Sequence, residues 1–170
     1  MYIKNTNGII TFSDSNSKDT KVCSDYFDIY VGIVSGKEEV YRNNELGNID
    51  VILSENKIEK YILIDEFPCD NDYINDYLLF HKTELLQRQI RKFNQSNWYE
   101  WGALRNIDKV RKNLGKECIY IHNLTRKENV AFKSLVQYFN GNLIMLLPKI
   151  SCDLDKITKY LNSNTFKKNY

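Results

Sequence analysis

Six side chains between positions 88 and 105 have the chemistry that nucleic-acid binding uses. An arginine can donate two parallel hydrogen bonds to a phosphate or to the edge of guanine, and a lysine supplies a point charge to the backbone. An indole face can stack on an unpaired base or lie beneath an arginine. The six residues are Arg88, Arg91, Lys92, Trp98, Trp101 and Arg105. This density predicts a nucleic-acid-binding surface, although for each tryptophan taken singly a place in the core is the better interpretation.

Two further basic positions lie where the sequence predicts turns. Thr125-Arg126-Lys127 falls between two predicted strands, and loops carried by a rigid sheet are where recognition residues tend to lie. Ser35-Gly36-Lys37 is a small turn whose backbone amides could approach a phosphate. An ordinary hairpin turn explains the same three residues equally well.

The charges are distributed unevenly, although the net charge is only +2. Residues 1–81 hold 7 Lys/Arg and 15 Asp/Glu, whereas residues 82–133 hold 12 and 5, and residues 134–170 hold 5 and 2. This asymmetry predicts a basic surface built by the middle of the chain, as a polyanionic partner requires. A solvated helix face that is rich in lysine and arginine remains the alternative.

One set of residues is compatible with an enzyme, a metal-dependent nuclease. Asp50, Glu55 and Lys57 contain the carboxylates and the lysine of a D…E-x-K nuclease, which could hold magnesium and activate water. The five-residue gap is short for two ligands on different strands, and a polar turn between two strands explains the same letters. We therefore keep the nuclease only as an alternative.

Other catalytic and metal-binding patterns are missing from the sequence. The chain has only two prolines, Pro68 and Pro148, so the Pro-Pro-aromatic loop that holds a flipped adenine in an amino-methylating enzyme cannot form. The segment 139–142 (FNGN) is better interpreted as a β-hairpin turn than as a cofactor-binding glycine turn. Four cysteines without a C-x-x-C pair and two histidines provide no zinc-site spacing, and predict buried or half-buried reduced thiols.

Hydrophobic periodicity predicts an α+β fold. Alternating apolar residues indicate strands over 26–34, 48–53, 60–64, 117–123, 130–138 and 142–147, with a return strand beginning at 39–41. Apolar residues at three- and four-residue steps predict one long central helix over 72–93 and a C-terminal helix over 153–170. We expect a mixed or antiparallel sheet in a single domain over 1–170, with residues 1–25 as an N-terminal extension.

Four segments of the chain are similar to one protein family. They are 31–37 (VGIVSGK), 93–106 (FNQSNWYEWGALRN), 124–132 (LTRK, then VAF after two residues) and 153–163 (DLDKI through YLNS). Together they resemble the C-terminal target-recognition region of adenine-specific DNA methyltransferases from bacterial restriction–modification systems. The resemblance covers residues 26–170, and the string N-W-Y-E-W-G-A-L-R-N is its most specific part.

The resemblance implies a DNA-methylase specificity-domain-like fold that reads base edges in the major groove of double-stranded DNA. It implies that S-adenosylmethionine chemistry belongs to an N-terminal catalytic domain outside this chain. The matched positions are Lys37, Trp98, Trp101, Arg105, Asn106, Arg126 and Lys127. We expect Arg88, Arg91 and Lys92 to contact the DNA backbone, and Arg105, Asn106 and Arg126 to approach base edges. Asparagine pairs with adenine and arginine with guanine, so this set suits an adenine-containing target.

These inferences predict a protein that is not an enzyme on its own but a fragment or subunit of a site-specific DNA adenine methyltransferase. Its expected partners are double-stranded DNA and a methyltransferase catalytic domain or subunit. No leader or bilayer-spanning apolar run is visible, so we expect a cytoplasmic protein without a membrane partner. The alternatives are the magnesium nuclease and a protein-interaction subunit that assembles with a separate methyltransferase.

Overall fold

Short helices alternate with strands along the chain in the computed structural model, which describes residues 2–6, 9–13, 22–124 and 128–167. In chain order the elements are β1 (Tyr2–Thr6), β2 (Ile9–Ser13), α1 (Cys23–Tyr26), β3 (Phe27–Val31), α2 (Glu38–Tyr41), β4 (Ile49–Ser54), β5 (Lys57–Tyr61), α3 (Asp72–Phe80), α4 (Lys82–Leu86), α5 (Ile107–Asn113), β6 (Glu117–His122), β7 (Ala131–Leu135), β8 (Tyr138–Phe139), β9 (Leu143–Pro148), α6 (Leu154–Leu161) and α7 (Asn164–Lys167). None of the helices in these ranges has the length and apolar character needed to cross a membrane.

The largest sheet is a four-stranded antiparallel sheet in the order β3-β9-β6-β7. Side chains of a strand alternate between the two faces of its sheet. Accordingly, Tyr120 of β6 packs in one cluster with Val110 of α5 and with Phe139 of β8. The neighbouring Ile119 packs in another cluster with Leu154 of α6. Helix α6 therefore covers one face of this sheet, and α5 and β8 cover the other.

A second, three-stranded sheet has the order β5-β4-β8. Strand β4 pairs with β5 in an antiparallel manner and with β8 in a parallel manner. The buried cluster beside this sheet contains Val51 of β4, Tyr61 of β5, Leu78 of α3 and both tryptophans. Strands β1 and β2 form a separate antiparallel pair.

The α+β class with antiparallel sheets is confirmed, but the predicted central helix over 72–93 is wrong. The chain forms α3 and α4 instead, with His81 between them, and leaves the helical conformation after Leu86. The apolar side chains at 85 and 93 are buried as the stripe predicts. Between them, however, Arg88 uses its guanidinium to bind carbonyl groups of three different segments. That set of contacts favours an irregular path for the backbone.

Two strand predictions and one turn prediction also need correction. The return strand predicted from 39 is helix α2, whose Val40 and Tyr41 are buried. The strand predicted over 130–138 is split into β7 and β8, which belong to different sheets. Consequently the turn after Phe139 does not close a hairpin: β8 pairs with β4, while β9 pairs with β3 and β6. The strands predicted at 48–53 and 117–123 are confirmed by β4 and β6, within one residue at each end.

Candidate nucleic-acid interface

Two of the four family-like segments lie side by side. Val34 and Ala103 exchange two backbone hydrogen bonds of 2.9 Å, and the Gly102 amide donates to the Ser35 carbonyl at 2.9 Å. Farther along, the Asn106 side-chain amide donates to the Val31 carbonyl at 3.3 Å. Residues 31–35 and 102–106 therefore run antiparallel as a two-stranded ribbon, which we call the 31/106 ribbon.

Little room is left for a side chain at position 102, because the Ile90 side chain covers the ribbon there. A Cβ atom on Gly102 would lie 2.8 Å from Cδ1 and 2.9 Å from Cγ2 of Ile90, closer than side chains normally pack. Gly36, at the end of the ribbon, has a φ of 80°, a conformation that favours glycine. These two positions explain why the family-like segments carry glycine after Ser35 and after Trp101.

Arg88 holds the ribbon against the segment that contains both tryptophans. Its side chain is buried, and its guanidinium donates to the carbonyls of Leu85 at 2.8 Å, Ser35 at 3.0 Å and Trp98 at 2.6 Å. The guanidinium also lies over the Phe93 ring, 3.8 Å from its centroid. Burial lowers the pKa of Arg88 from its usual value, and the three acceptors compensate the loss of water around the cation. These contacts give Arg88 a place inside the fold.

Trp98 and Trp101 are core residues, as the sequence predicts for each tryptophan taken singly. Their exposed fractions are 2% and 3%. The Trp101 indole donates to the Ile62 carbonyl at 2.8 Å and has the rings of Tyr41 and Tyr61 at 5.6 and 5.7 Å. Neither indole face can stack on an unpaired base while these contacts persist.

The 31/106 ribbon begins at one edge of the four-stranded sheet, where several connections meet. Strand pairing places Val31 beside Ile144, and Ile144 beside Ile121. Ile121 in turn lies beside Ala131. The end of β3, the start of β9, the end of β6 and the start of β7 therefore lie at the same edge, which we call the Val31 edge. Segments far apart in the sequence reach one surface there.

Arg126 and Lys127 lie outside the described residues, but the strands on either side of them end at the Val31 edge. The start of β7 is fixed by Asn162, which follows α6. The side-chain oxygen of Asn162 accepts from the amides of Val130 at 2.8 Å and Ala131 at 2.9 Å, and its nitrogen donates to the Ala131 carbonyl at 2.8 Å. The fourth family-like segment, which contains Asn162, is therefore joined to the third.

Replacing Asn162 by alanine should lower the free energy of unfolding by about 2 kcal/mol, because it leaves two half-buried amides and a carbonyl without their partner. The measurement is urea unfolding of the purified chain. Asn164→Ala is the matched control, because Asn164 is exposed and should change stability by less than about 0.5 kcal/mol. Equal stability of the two variants would show that the hydrogen bonds of Asn162 to Val130 and Ala131 do not stabilise the fold.

The turn at 140–142 connects the two sheets at the Val31 edge. The Asn140 amide donates to Ile52 of β4 at 3.2 Å, while the Asn142 carbonyl accepts from Asn123 at 2.8 Å. On its other side, Gly32 approaches so closely that an added Cβ would lie 2.0 Å from the Asn140 carbonyl oxygen. The turn is thus held by both sheets and by the start of the ribbon.

Arg105 and Asn106 are the exposed polar residues of the ribbon. Arg105 has no ion pair or hydrogen bond to its side chain from any described residue, so its guanidinium is available to a partner. Asn106 adopts the left-handed conformation, with a φ of 57°, immediately before helix α5. Among the described residues its side-chain amide donates to Val31 alone, which leaves the remaining amide hydrogen and the side-chain oxygen for other groups.

The other predicted cations differ in whether they already form ion pairs with carboxylates of the protein. Lys37 pairs with Glu84 at 2.8 Å, and this contact raises the pKa of Lys37. Arg91 pairs with Glu100 and donates to the Trp101 carbonyl at 3.0 Å. Lys92 is exposed and has no such partner among the described residues. Lys37 and Arg91 would therefore have to share or leave their carboxylates in order to contact a phosphate.

The geometry of the nuclease residues argues against the nuclease. Asp50, on β4, pairs with Lys60 across the β4/β5 hairpin at 3.2 Å, whereas Glu55 lies in the turn after β4. Five residues of extended chain span roughly 16 Å, too far for both carboxylates to bind one ion. Within the described ranges there is no group of three His, Cys, Asp or Glu side chains that could hold a metal.

The cysteines have no disulfide partners among the described residues, and only one of them is fully buried. Cys118 is buried, and burial raises its pKa to about 12, which makes the thiol unreactive. Cys69 and Cys152 are half-buried, in agreement with the prediction, whereas Cys23 is exposed and contradicts it.

Helix α5 was missed by the sequence analysis, although a signal was present. Ile107 and Val110 are buried, and the cations Lys109 and Lys112 between and after them are exposed. The three-residue step between the two apolar residues is a helical period, but it covers fewer than two turns. The basic residues that follow Arg105 are therefore carried by an ordered element.

Comparison with known proteins gives one informative relative. No protein-family model matches the chain. The chain is 30% identical to the Type II methyltransferase M.MjaIV of Methanocaldococcus jannaschii over 169 aligned positions, which include 82% of this chain. It spans 55% of the length of that relative, or about half. The chain is therefore related to a Type II methyltransferase, in agreement with the broader part of the family prediction.

Proposed function

We propose that the chain is a sequence-specific recognition module for double-stranded DNA, and that it serves an adenine-specific methyltransferase of a restriction–modification system. The observation that carries the proposal is the meeting of four family-like segments at the Val31 edge, with Arg105 and Asn106 exposed there. The relationship to a Type II methyltransferase supports the choice of DNA as the partner. The specificity-domain-like fold is part of the same proposal.

In this proposal methylation is performed by a catalytic domain or subunit outside the chain, where S-adenosylmethionine binds. The sequence has no Pro-Pro-aromatic loop for a flipped adenine. The cleft of about 690 Å³ beside the ribbon also lacks a free acid–base pair. Its carboxylate, Glu38, accepts hydrogen bonds from Ser35 and Tyr61, and burial and that carboxylate raise the pKa of Tyr61. We therefore assign recognition, and no chemistry, to this chain.

The residues of the proposed site divide into two roles. Arg105, Asn106 and Arg126 approach base edges in the major groove, where arginine reads guanine and asparagine reads adenine. Lys92 and Lys127 contact phosphates, with Lys37 and Arg91 as weaker contributors because each already pairs with a carboxylate. Arg88 acts indirectly, because its buried guanidinium positions the ribbon.

Selection from a randomised duplex library, at low and moderate salt, tests the proposed function. We expect the purified chain to enrich one adenine-containing motif, with affinity that falls steeply as salt rises. Salt-sensitive binding without enrichment would contradict sequence-specific reading by this chain. Absence of binding at both salt concentrations would contradict an autonomous DNA-binding module and favour a subunit that works only beside its catalytic partner.

Replacing Arg105 by alanine should weaken binding to the selected duplex by roughly 1–3 kcal/mol and relax specificity at one base pair. Arg105→Lys is the matched variant, since it keeps the charge but loses the two-pronged geometry that reads guanine. We expect it to bind a scrambled duplex as the parent does, and to discriminate as poorly as Arg105→Ala. Titrations of both duplexes by fluorescence anisotropy measure this. Unchanged discrimination in both variants would remove Arg105 from base reading.

A further inference from the structure

Helix α5 presents a basic face that none of the roles above uses. Its inner face is fixed by Ile107, which packs in the cluster beside the three-stranded sheet, and by Val110, which packs in the cluster against the four-stranded sheet. Lys109 and Lys112, three residues apart, are both exposed. Side chains at this spacing are neighbours on a helix surface. The outer face of α5 therefore carries two cations side by side.

These two cations lack the partners that ten other basic residues have within the described part of the chain. Ten described lysine and arginine side chains make an ion pair or a hydrogen bond, including Arg111 of the same helix, which binds Asp65 at 2.9 Å. Lys109 and Lys112 have neither with any described residue. Asp108 lies four residues before Lys112 and can offset only one of the two positive charges, so an external polyanion would stabilise the arrangement.

The position of α5 beside the Val31 edge favours duplex DNA as this polyanion. The helix starts directly after Asn106, whose side chain bonds to Val31, so its first turn adjoins the Val31 edge. Seven residues extend about 10 Å from there. The strands of duplex DNA carry one phosphate for roughly every 3.4 Å of axis each, so this length covers about three phosphates. A duplex read at the Val31 edge would bring its backbone along this face.

We propose that Lys109 and Lys112 form a contact surface for the phosphate backbone of double-stranded DNA, beside the residues that read bases. This inference rests on the proposed function and adds a sequence-independent contact to it. Phosphate contacts fix the position of a protein on DNA without carrying sequence information. Loss of the two lysines should therefore weaken cognate and scrambled binding by the same factor.

The test is the double variant Lys109→Ala/Lys112→Ala, titrated with the selected and the scrambled duplex at several salt concentrations. We expect the slope of log affinity against log salt to become shallower by roughly 2, about one unit for each lost phosphate contact. Affinity for both duplexes should fall several-fold at low salt, and their ratio should stay unchanged. Alanine is the best helix former, so α5 should still fold.

The matched control is Lys156→Ala/Lys159→Ala, which removes the same charge from α6 on the opposite face of the four-stranded sheet. A control that keeps the parent slope, beside a shallower slope for the α5 variant, supports the proposal. Equal changes of slope in both variants would mean that only the net charge of the protein matters, and would overturn the proposal. A parent slope in the α5 variant would overturn this inference alone, whereas failure of the parent chain to bind DNA would overturn the proposed function as well.

Discussion

Replacing Arg88 by alanine should lower the free energy of unfolding by about 3–5 kcal/mol, because each of three buried carbonyls loses a hydrogen bond from a charged donor, at roughly 1–3 kcal/mol each. The guanidinium of Arg88 donates to three carbonyls, and all three lose a partner in the variant. The aromatic contact to Phe93 is lost as well. Urea unfolding followed by the fluorescence of the two buried tryptophans would measure the change.

Arg88→Lys should rescue little of this stability. A lysine ammonium is a compact point charge, whereas the guanidinium of Arg88 is a planar fork that reaches Leu85, Ser35 and Trp98 together. Lys92→Ala is the matched control, because Lys92 is exposed and should change stability by less than about 0.5 kcal/mol. An Arg88→Ala variant as stable as the parent, but deficient in DNA binding, would restore Arg88 to the DNA-contacting set.

Replacing Trp101 by alanine should cost about 3–5 kcal/mol of stability, the range typical of large aromatic residues in cores. The variant removes a ring that packs against Tyr41 and Tyr61 and a hydrogen bond to the Ile62 carbonyl. Trp101→Phe keeps part of the ring packing and should lose less. Thermal and urea unfolding of both variants, compared with Tyr73→Ala at a residue that is 78% exposed, measure the difference.

The order of these three variants is the informative result. Stability should decrease from Tyr73→Ala to Trp101→Phe to Trp101→Ala. Were Trp101 to stack on a base, its replacement would reduce DNA binding while leaving unfolding unchanged. That outcome would contradict the packing of Trp101 in the core.

Runs of apolar and aromatic residues were sufficient to predict several strands, because many of these side chains pack in the core. Strand β6 is an example: Ile119 and Tyr120 face different helices, yet both are buried. The prediction of a helix over 72–93 was wrong because contacts with distant segments of the chain determine the backbone path there. Leu78, Leu85 and Phe93 of the apolar stripe are buried, whereas Ile90 is exposed. The hydrogen bonds of Arg88 to Ser35 and Trp98 cannot be anticipated from local periodicity.

The sequence predicts which segment carries the basic residues, but it does not separate the buried members from the exposed ones. Arg88 and Arg105 are the same residue type within one basic segment. One is buried with three carbonyl acceptors, and the other is exposed without a described partner. What separates them is contact with Ser35, 53 positions away in the sequence. Helix α5 escaped prediction because its two buried residues are too few to define a stripe.

The turn at 140–142 has a thermodynamic consequence for recognition. Because it is bonded to β4 through Asn140 and to the end of β6 through Asn142, the described part of the Val31 edge is assembled before any ligand arrives. A preorganised surface loses little conformational entropy on association. The free energy of reading a sequence would then depend largely on how easily the duplex adapts its groove to this fixed shape, so flexible base steps outside the contacted positions would influence affinity.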